Sequence, residues 1–492
     1  MRKKIGNKFV SLSVSTPDGK ELSLKLRALV WEYLDKMRPY DAGDALDLAL
    51  FMMYCSYVSR NAEDFELEDL DPGYSIDEVL DNLGNKYLAT DFIEYYATLH
   101  SQNPVLPDLA GASFHVHDLS RAITAWAGAL EASGLSLLEG PEAETAATVA
   151  SVLADVITSN VWGKVAGEFS SPLPIAQLNA RFADVKGMEV LDFACGNGMY
   201  LATALTDGAR SVLGRDYNFA TVMRAAVMCF FADPHHAHDI RTANLLLPDP
   251  AVKPVQRVLV APPFGAPLRD IDIADKAYFN ATLNELVGED APRPRNIEDF
   301  CVAKALASLE DGGIAVLHMS PSFLFHQHKG REAIRRSIVE KGYLRAVIEL
   351  PGGCLPSTAV KSALLILEKE PTEDGVFIVD LDSNALDGKG YLAKGRGKCE
   401  ITEAGIEWLV NTVKNRKEIP LVSTIADRET IIASGSNLCY SAYGSVYDFQ
   451  SVLDQTRTTA DIVGDMQSAQ ATIEDLGTRI DDLLLALGKG RN

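Results

Sequence analysis

The chain has 492 residues, 47% apolar and 23% charged, so it exceeds the size at which a single core keeps growing, and its composition excludes a disordered or collagen-like polymer. No apolar run approaches the roughly 20 residues of a membrane span, and the basic start MRKKIGNKFV lacks the apolar stretch of a signal peptide, which makes a cytoplasmic location the expectation. The formal net charge of -22 repels polyanions at long range, so a nucleic-acid ligand would need a local basic surface or a second subunit to hold it.

Over 22–138 apolar residues recur at spacings of three and four, as in LRALVWEYLDKM and ALDLALFMMYCSYV, which predicts a helical first domain, assigned to 1–145. Pro104 and Pro107 interrupt it, and the polar break GLSLLEGPEAE precedes a further helix, AATVASVLADVITSNVWGKV. Across 170–370 the texture changes to short β-branched runs, EVLDFA, SVLGRD, RVLVAP, GIAVLHM, AVIEL and ALLILE, alternating with helical stretches. That alternation predicts an α/β domain, assigned to 146–400, with a largely parallel sheet covered by helices. The remainder, 401–492, ends in a stripe of Ile462, Met466, Ala469, Ile473, Leu476, Ile480, Leu483 and Leu487. Such a heptad-patterned tail fits a helical partner, and equally fits a helix folded back on its own domain, since Gly464 and Gly477 each cost roughly 1 kcal/mol in an isolated helix.

The seven cysteines are scattered and never spaced as a C-x-x-C pair, so they read as reduced thiols. His235, His236 and His238 read as a solvated turn in preference to a metal site, and His115 and His117 likewise. Lys389, Lys394, Arg396 and Lys398 in the Gly-rich GKGYLAKGRGK suit either phosphate contact or, slightly better, a solvated loop.

The run EVLDFA leads directly into Cys195-Gly196-Asn197-Gly198 and then the helical MYLATAL. Glycines there let backbone approach a ligand at the carboxyl end of a strand, although a tight strand-to-helix turn asks for the same residues. SVLGRD ends in Asp216, 24 residues after Asp192, the distance at which a second Rossmann strand offers a carboxylate to ribose hydroxyls. Leu201 stands where a third pyrophosphate-packing glycine would be, which favours an adenosyl cofactor without a diphosphate, S-adenosylmethionine, over NAD.

DFACGNGMYL at 192–201 resembles the DPACGSGGFL motif of the modification subunits of type I restriction-modification systems, a family of N6-adenine DNA methyltransferases. GEFSSP at 167–172 resembles the GEFYTP motif that precedes it, IRTANLL at 240–246 the third-strand segment, and VLVAPPFG at 258–265 the NPPFG motif, all in the family's order. FCVAKALASLEDGGIAVLHMSPSFLF and IELPGGCLPSTAVKSALLILEK resemble its later strands, so the likeness covers most of the chain. The resemblance implies a Rossmann-like S-adenosylmethionine-dependent methyltransferase sheet with an N-terminal helical domain and a C-terminal helical tail. It implies that Asp192, Ala194, Gly196, Asn197 and Gly198 form the turn around the methionine moiety and that Asp216 holds the ribose. Asn244 would face the cofactor's adenine, with Glu168 and Ser171 near its amino-acid end. Ser170 lacks the usual aromatic ring, and Phe193 replaces a proline in a change expected to affect packing.

The resemblance makes Ala261, Pro262, Pro263 and Phe264 the target-base motif, in which Phe264 stacks on an extrahelical adenine. In that family an asparagine side chain and the next backbone carbonyl hold the exocyclic amine in line with the methyl donor; here Ala261 leaves only the Pro262 carbonyl. Losing one positioned hydrogen bond to a reacting group costs on the order of a hundredfold in rate. The expected function is therefore adenine-N6 methylation of double-stranded DNA with a separate specificity subunit, a restriction subunit being a further candidate partner. The alternative is a catalytically impaired, cofactor-sensing or DNA-remodelling subunit of a defence complex. The motif order and the long helical N-terminal region disfavour a small-molecule methyltransferase.

Overall fold

The computed structural model describes residues 17–37, 42–67, 71–75, 78–79, 86–110, 114, 119–133, 152, 171–270, 273, 275–355, 359–370, 375–395 and 398–444. The chain divides into two compact units, Met1–Gly444 and Ser445–Asn492. The predicted heptad tail falls in the second and lies outside the described residues, as do Glu168, Ser170, His115, His117 and Arg396.

Eleven strands occur among the described residues: β1 (Glu189–Asp192), β2 (Ser211–Asp216), β3 (Asp239–Thr242), β4 (Val255–Val260), β5 (Leu309–Met319), β6 (Leu344–Leu350), β7 (Ser362–Glu368), β8 (Val376–Asp380), β9 (Leu392–Gly395), β10 (Lys398–Ile401) and β11 (Ser423–Ala426). Nine of them form one sheet in the order β11-β8-β6-β7-β5-β4-β1-β2-β3, while β9 and β10 make a separate antiparallel pair. The six runs picked out by their β-branched content all lie on strands of the large sheet. Its centre is parallel, and their near-continuous apolar character follows from burial on both faces. β7 departs from that pattern, running antiparallel between β5 and β6. β8, which continues parallel to β6, and β11, an antiparallel edge strand beyond β8, carry the sheet past residue 400.

The chain winds outward from β1 through β2 to β3, then returns to place β4 on the other side of β1. That reversal opens a crevice beyond the carboxyl ends of β1 and β4, where open α/β sheets bind ligands.

The N-terminal helices Pro17–Lys36, Ala42–Arg60, Lys86–Thr98 and Leu119–Ser133 form as the periodicity predicts. Helix Ala42–Arg60 is apolar on every side, and its residues from Ala45 to Val58 are all buried, because it is sandwiched between its neighbours and the sheet-covering helix Phe219–Ala232. Tyr54 meets Phe230 and Tyr57 meets Phe231 edge-on, each pair with centroids 5.4 Å apart. A partly buried ion pair between Asp47 and Arg224 joins the same two helices. The helical region thus shares a core with the sheet. Among the described residues no helix is long and apolar enough to cross a membrane.

Candidate active site

β1 delivers Asp192 to the floor of the crevice, where its Oδ1 accepts the Ala194 N–H at 3.0 Å, and burial pushes its carboxyl well above the usual range. The chain then turns sharply: the Cys195 N–H donates to the Arg215 carbonyl at 2.9 Å and the Gly198 N–H to the Cys195 carbonyl at 2.8 Å. Asp216, at the end of β2, binds this turn directly, with Oδ2 accepting the Gly196 N–H at 2.9 Å. Its Oδ1 accepts the Asn218 N–H (3.0 Å) and the Thr221 hydroxyl (3.1 Å), which fixes the carboxylate while leaving lone pairs toward the crevice.

The two glycines of the turn do different work. Gly196, at φ +48°, would aim a Cβ into open space, so it leaves backbone exposed to a ligand. Gly198, at φ +80°, would put a Cβ 2.7 Å from the Ala225 Cα, so its absence of a side chain lets the helix Met199–Thr206 pack against Phe219–Ala232. Gly198→Ala is therefore expected to destabilise the fold by about 2–4 kcal/mol, strain and overpacking together. Gly196→Ala should cost only the left-handed backbone term; equal losses for the two variants in denaturant melts would refute the distinction.

Asn197 reaches sideways, its Oδ1 accepting from Arg224 Nη1 at 3.3 Å, and so links the turn to Asp47 of the helical region. Asn244 caps its own turn, Oδ1 accepting the Leu246 N–H at 2.9 Å. Phe193 is buried with the Lys304 ammonium 5.5 Å from its ring centroid, and Lys304 also donates to the Leu245 carbonyl (2.8 Å) and the Tyr278 hydroxyl (2.9 Å). The ring standing where the motif has proline is thus a packing element beneath the site.

Beyond β4, residues 261–265 form a loop that ends at Gly265, φ +68°. A buried ionic cluster holds it. Glu298, fully buried, accepts the Gly265 N–H (3.1 Å), the Ser320 N–H (2.8 Å) and hydroxyl (3.0 Å), and pairs with Arg331 at 3.3 Å. Arg331 also binds Asp299 at 2.6 Å and Ser322 at 2.8 Å; burial nevertheless lifts the Asp299 carboxyl to about 6. Phe264 presents its ring to the edge of His318, centroids 5.3 Å apart and planes at 89°.

These elements enclose a cavity of about 750 Å³, toward the upper end of what one drug-sized ligand occupies. Its wall contains Ser171, Asp192, Ala194, Gly196, Asn197, Asp216 and Asn244 together with Ala261, Pro262, Pro263 and Phe264. Gly198 does not line it and packs against Ala225 instead. Residues that sequence reasoning missed also line it: Tyr200, Tyr217, Thr221, His318 and Leu355. The tyrosine in place of the motif's phenylalanine at 200 was a legible signal; nothing in the sequence pointed to His318 or Glu298. Away from the cavity, His236 Nδ1 lies 2.8 Å from Asp233 Oδ2 and His238 Nε2 2.9 Å from the Asp233 carbonyl.

A doubly wound sheet with a glycine turn, a strand-end carboxylate and a Pro-Pro-Phe loop on one cavity, joined to a helical N-terminal region, defines a Rossmann-like methyltransferase fold. The chain belongs to the N-6 DNA methylase family, whose model matches residues 156–451. It is 23% identical over 352 residues to the methylase subunit of the type I restriction enzyme MpnII of Mycoplasma pneumoniae, a match covering 65% of this chain and 60% of that protein. A type I methylase subunit of Methanocaldococcus jannaschii, MjaVII, is 23% identical over 288 residues, 56% of this chain and 49% of that protein, so the chain spans about half to three-fifths of these relatives. The solved methyltransferase subunit of a type I restriction-modification system from Streptococcus thermophilus shares the fold at a TM-score of 0.69, with 19% identity, over 86% of this chain and all of that one. A modification subunit of a putative type I restriction enzyme from Vibrio vulnificus does so at 0.58 and 16% identity, over 84% of this chain and 93% of that one.

Proposed function

We propose that this protein transfers a methyl group from S-adenosylmethionine to N6 of adenine in double-stranded DNA, as the modification subunit of a type I restriction-modification-like complex. One observation carries the reading: a single cavity joins the 195–198 turn and Asp216 to the Ala261-Pro262-Pro263-Phe264 loop. The cofactor fits the residues present, because Gly196 leaves its backbone open to a ligand and the Asp216 carboxylate keeps lone pairs for ribose hydroxyls. Bound there, S-adenosylmethionine would supply the electrophilic methyl. Asn197 and Ser171 then flank its amino-acid end, with Glu168 assigned the same neighbourhood by its motif, and Asn244 its adenine. Phe264 stacks on the extrahelical target base, and the Pro262 carbonyl accepts one N6–H.

The division into a helical domain 1–145, a methyltransferase domain 146–400 and a C-terminal region 401–492 accompanies this reading, as does a cytoplasmic location. So does a separate specificity subunit, with a restriction subunit as further partner: the acidic charge leaves DNA capture to another chain, and the relatives are subunits of type I restriction enzymes. Ala261 favours a second reading, a catalytically impaired methyltransferase-like subunit of a DNA-targeting complex.

Calorimetry is expected to show saturable S-adenosylmethionine binding that Gly196→Val, by filling the space over the turn, weakens at least tenfold, about 1.4 kcal/mol. Absence of binding to the wild-type protein, with DNA and partner present as well as without, would remove the cofactor assignment and the methyl-transfer reading with it.

A further inference from the structure

The cavity has a polar wall that this mechanism does not use. His318, next to last in β5, is buried between two hydroxyls, its Nδ1 3.1 Å from the Tyr200 hydroxyl and its Nε2 2.9 Å from Ser362 Oγ. The register of β4 on β5 pairs Val260 with Leu317, so Ala261 and His318 follow one another's partners at the carboxyl ends of neighbouring strands. The Phe264 ring meets the imidazole at 5.3 Å. Tyr200 and His318 line the same cavity as Ala261 and Pro262. A phenylalanine at 200 and an aliphatic residue at 318 would fill this volume without desolvating polar groups, so packing alone does not call for the chain of hydroxyl, imidazole and hydroxyl.

Resting on the methyltransferase reading above, we infer that the Tyr200 hydroxyl takes the place of the carboxamide missing at position 261, accepting a hydrogen bond from the exocyclic amine of the target base, with His318 and Ser362 as positioning residues. Burial keeps the imidazole neutral, its pKa lowered to about 3, so it has one donor and one acceptor nitrogen. With Nε2–H given to Ser362, Nδ1 accepts the phenol O–H, and the Tyr200 oxygen keeps its lone pairs on the side of the Ser171 and Asn179 side chains, where an incoming N–H takes a place among those polar neighbours. Burial raises the Tyr200 pKa, partly offset by the Ser171 and Asn179 side chains, so the group stays a neutral phenol. The hydroxyl and the alanine are matched departures from the motifs this chain resembles: of two residues lining one cavity, one gains a polar atom and the other has lost one.

Two readouts test this. Ligand-observed NMR on the full chain with S-adenosylhomocysteine compares deoxyadenosine with purine deoxyriboside, which lacks the amine. Wild type is expected to prefer deoxyadenosine roughly fivefold or more, Tyr200→Phe to lose the preference, and Tyr200→Phe with Ala261→Asn to regain it. Labelled methyl transfer to DNA, with the specificity partner present, should fall on the order of a hundredfold in Tyr200→Phe but less than about threefold when Ala261→Asn is already in place. No amine preference in the wild type, a preference that survives Tyr200→Phe, or the same fold-loss in both backgrounds overturns the assignment. An intact, Tyr200-dependent preference without methyl transfer upholds it and overturns the transfer reading instead.

Discussion

Ala261→Asn placed in the Tyr200→Phe background is expected to raise methyl transfer to DNA adenine by on the order of a hundredfold, the usual value of one preorganised hydrogen bond to a reacting group, and to add little to a wild type in which the Tyr200 hydroxyl already supplies that bond. The argument is local. Position 261 lies at the end of β4, on the wall shared by Phe264 and Pro262, and it is a half-buried methyl where the family it resembles has a carboxamide. The loop that carries it is held rigidly by Glu298, so a new side chain there inherits a defined position. The assay follows a labelled methyl with the proposed specificity partner present, because a formal net charge of -22 repels the DNA polyanion at long range. A wild type already as fast as the asparagine variant would show that the existing acceptors suffice. Two inert proteins that both bind cofactor and DNA would favour the non-catalytic reading.

Glu298→Ala is expected to destabilise the protein by about 3–5 kcal/mol, the range for removing one partner of a buried ion pair. Glu298 is fully buried and serves four donors, from Gly265, Ser320 twice and Arg331. Its removal leaves Arg331, 3% exposed, with Asp299 as its remaining carboxylate, and burial already opposes the ionised form of Asp299. The Gly265 and Ser320 amides lose their partner as well, each costing about 1–3 kcal/mol if left unsatisfied. Glu298→Gln keeps an acceptor and should lose less. Denaturant unfolding at neutral pH reads both, and a loss below about 1 kcal/mol for the alanine variant would mean that the 261–265 loop is held by something else.

The parallel core of the sheet was written in the chain, because a strand buried on both faces reads as a mostly apolar run, as EVLDFA and GIAVLHM do. So was one half of the cavity wall. A glycine turn and a strand-end acid are adjacent in sequence to the strands that position them, and Gly196, Asp216 and Asn244 line one cavity. Antiparallel β7 and the edge strand β11 were not legible, since strand direction is set by how a connection returns to the sheet and leaves no mark on a strand's composition. Nor did sequence separate the two glycines, because Gly198 answers to Ala225, a helix away. Tertiary structure alone assembled the other half: Glu298 and Arg331 are 33 positions apart, and His318 meets Tyr200 across 118. Such partners carry no local spacing signature. Buried polar groups find each other only once the sheet has brought the strand ends together, and there the low dielectric makes each unmade hydrogen bond expensive enough to fix the arrangement.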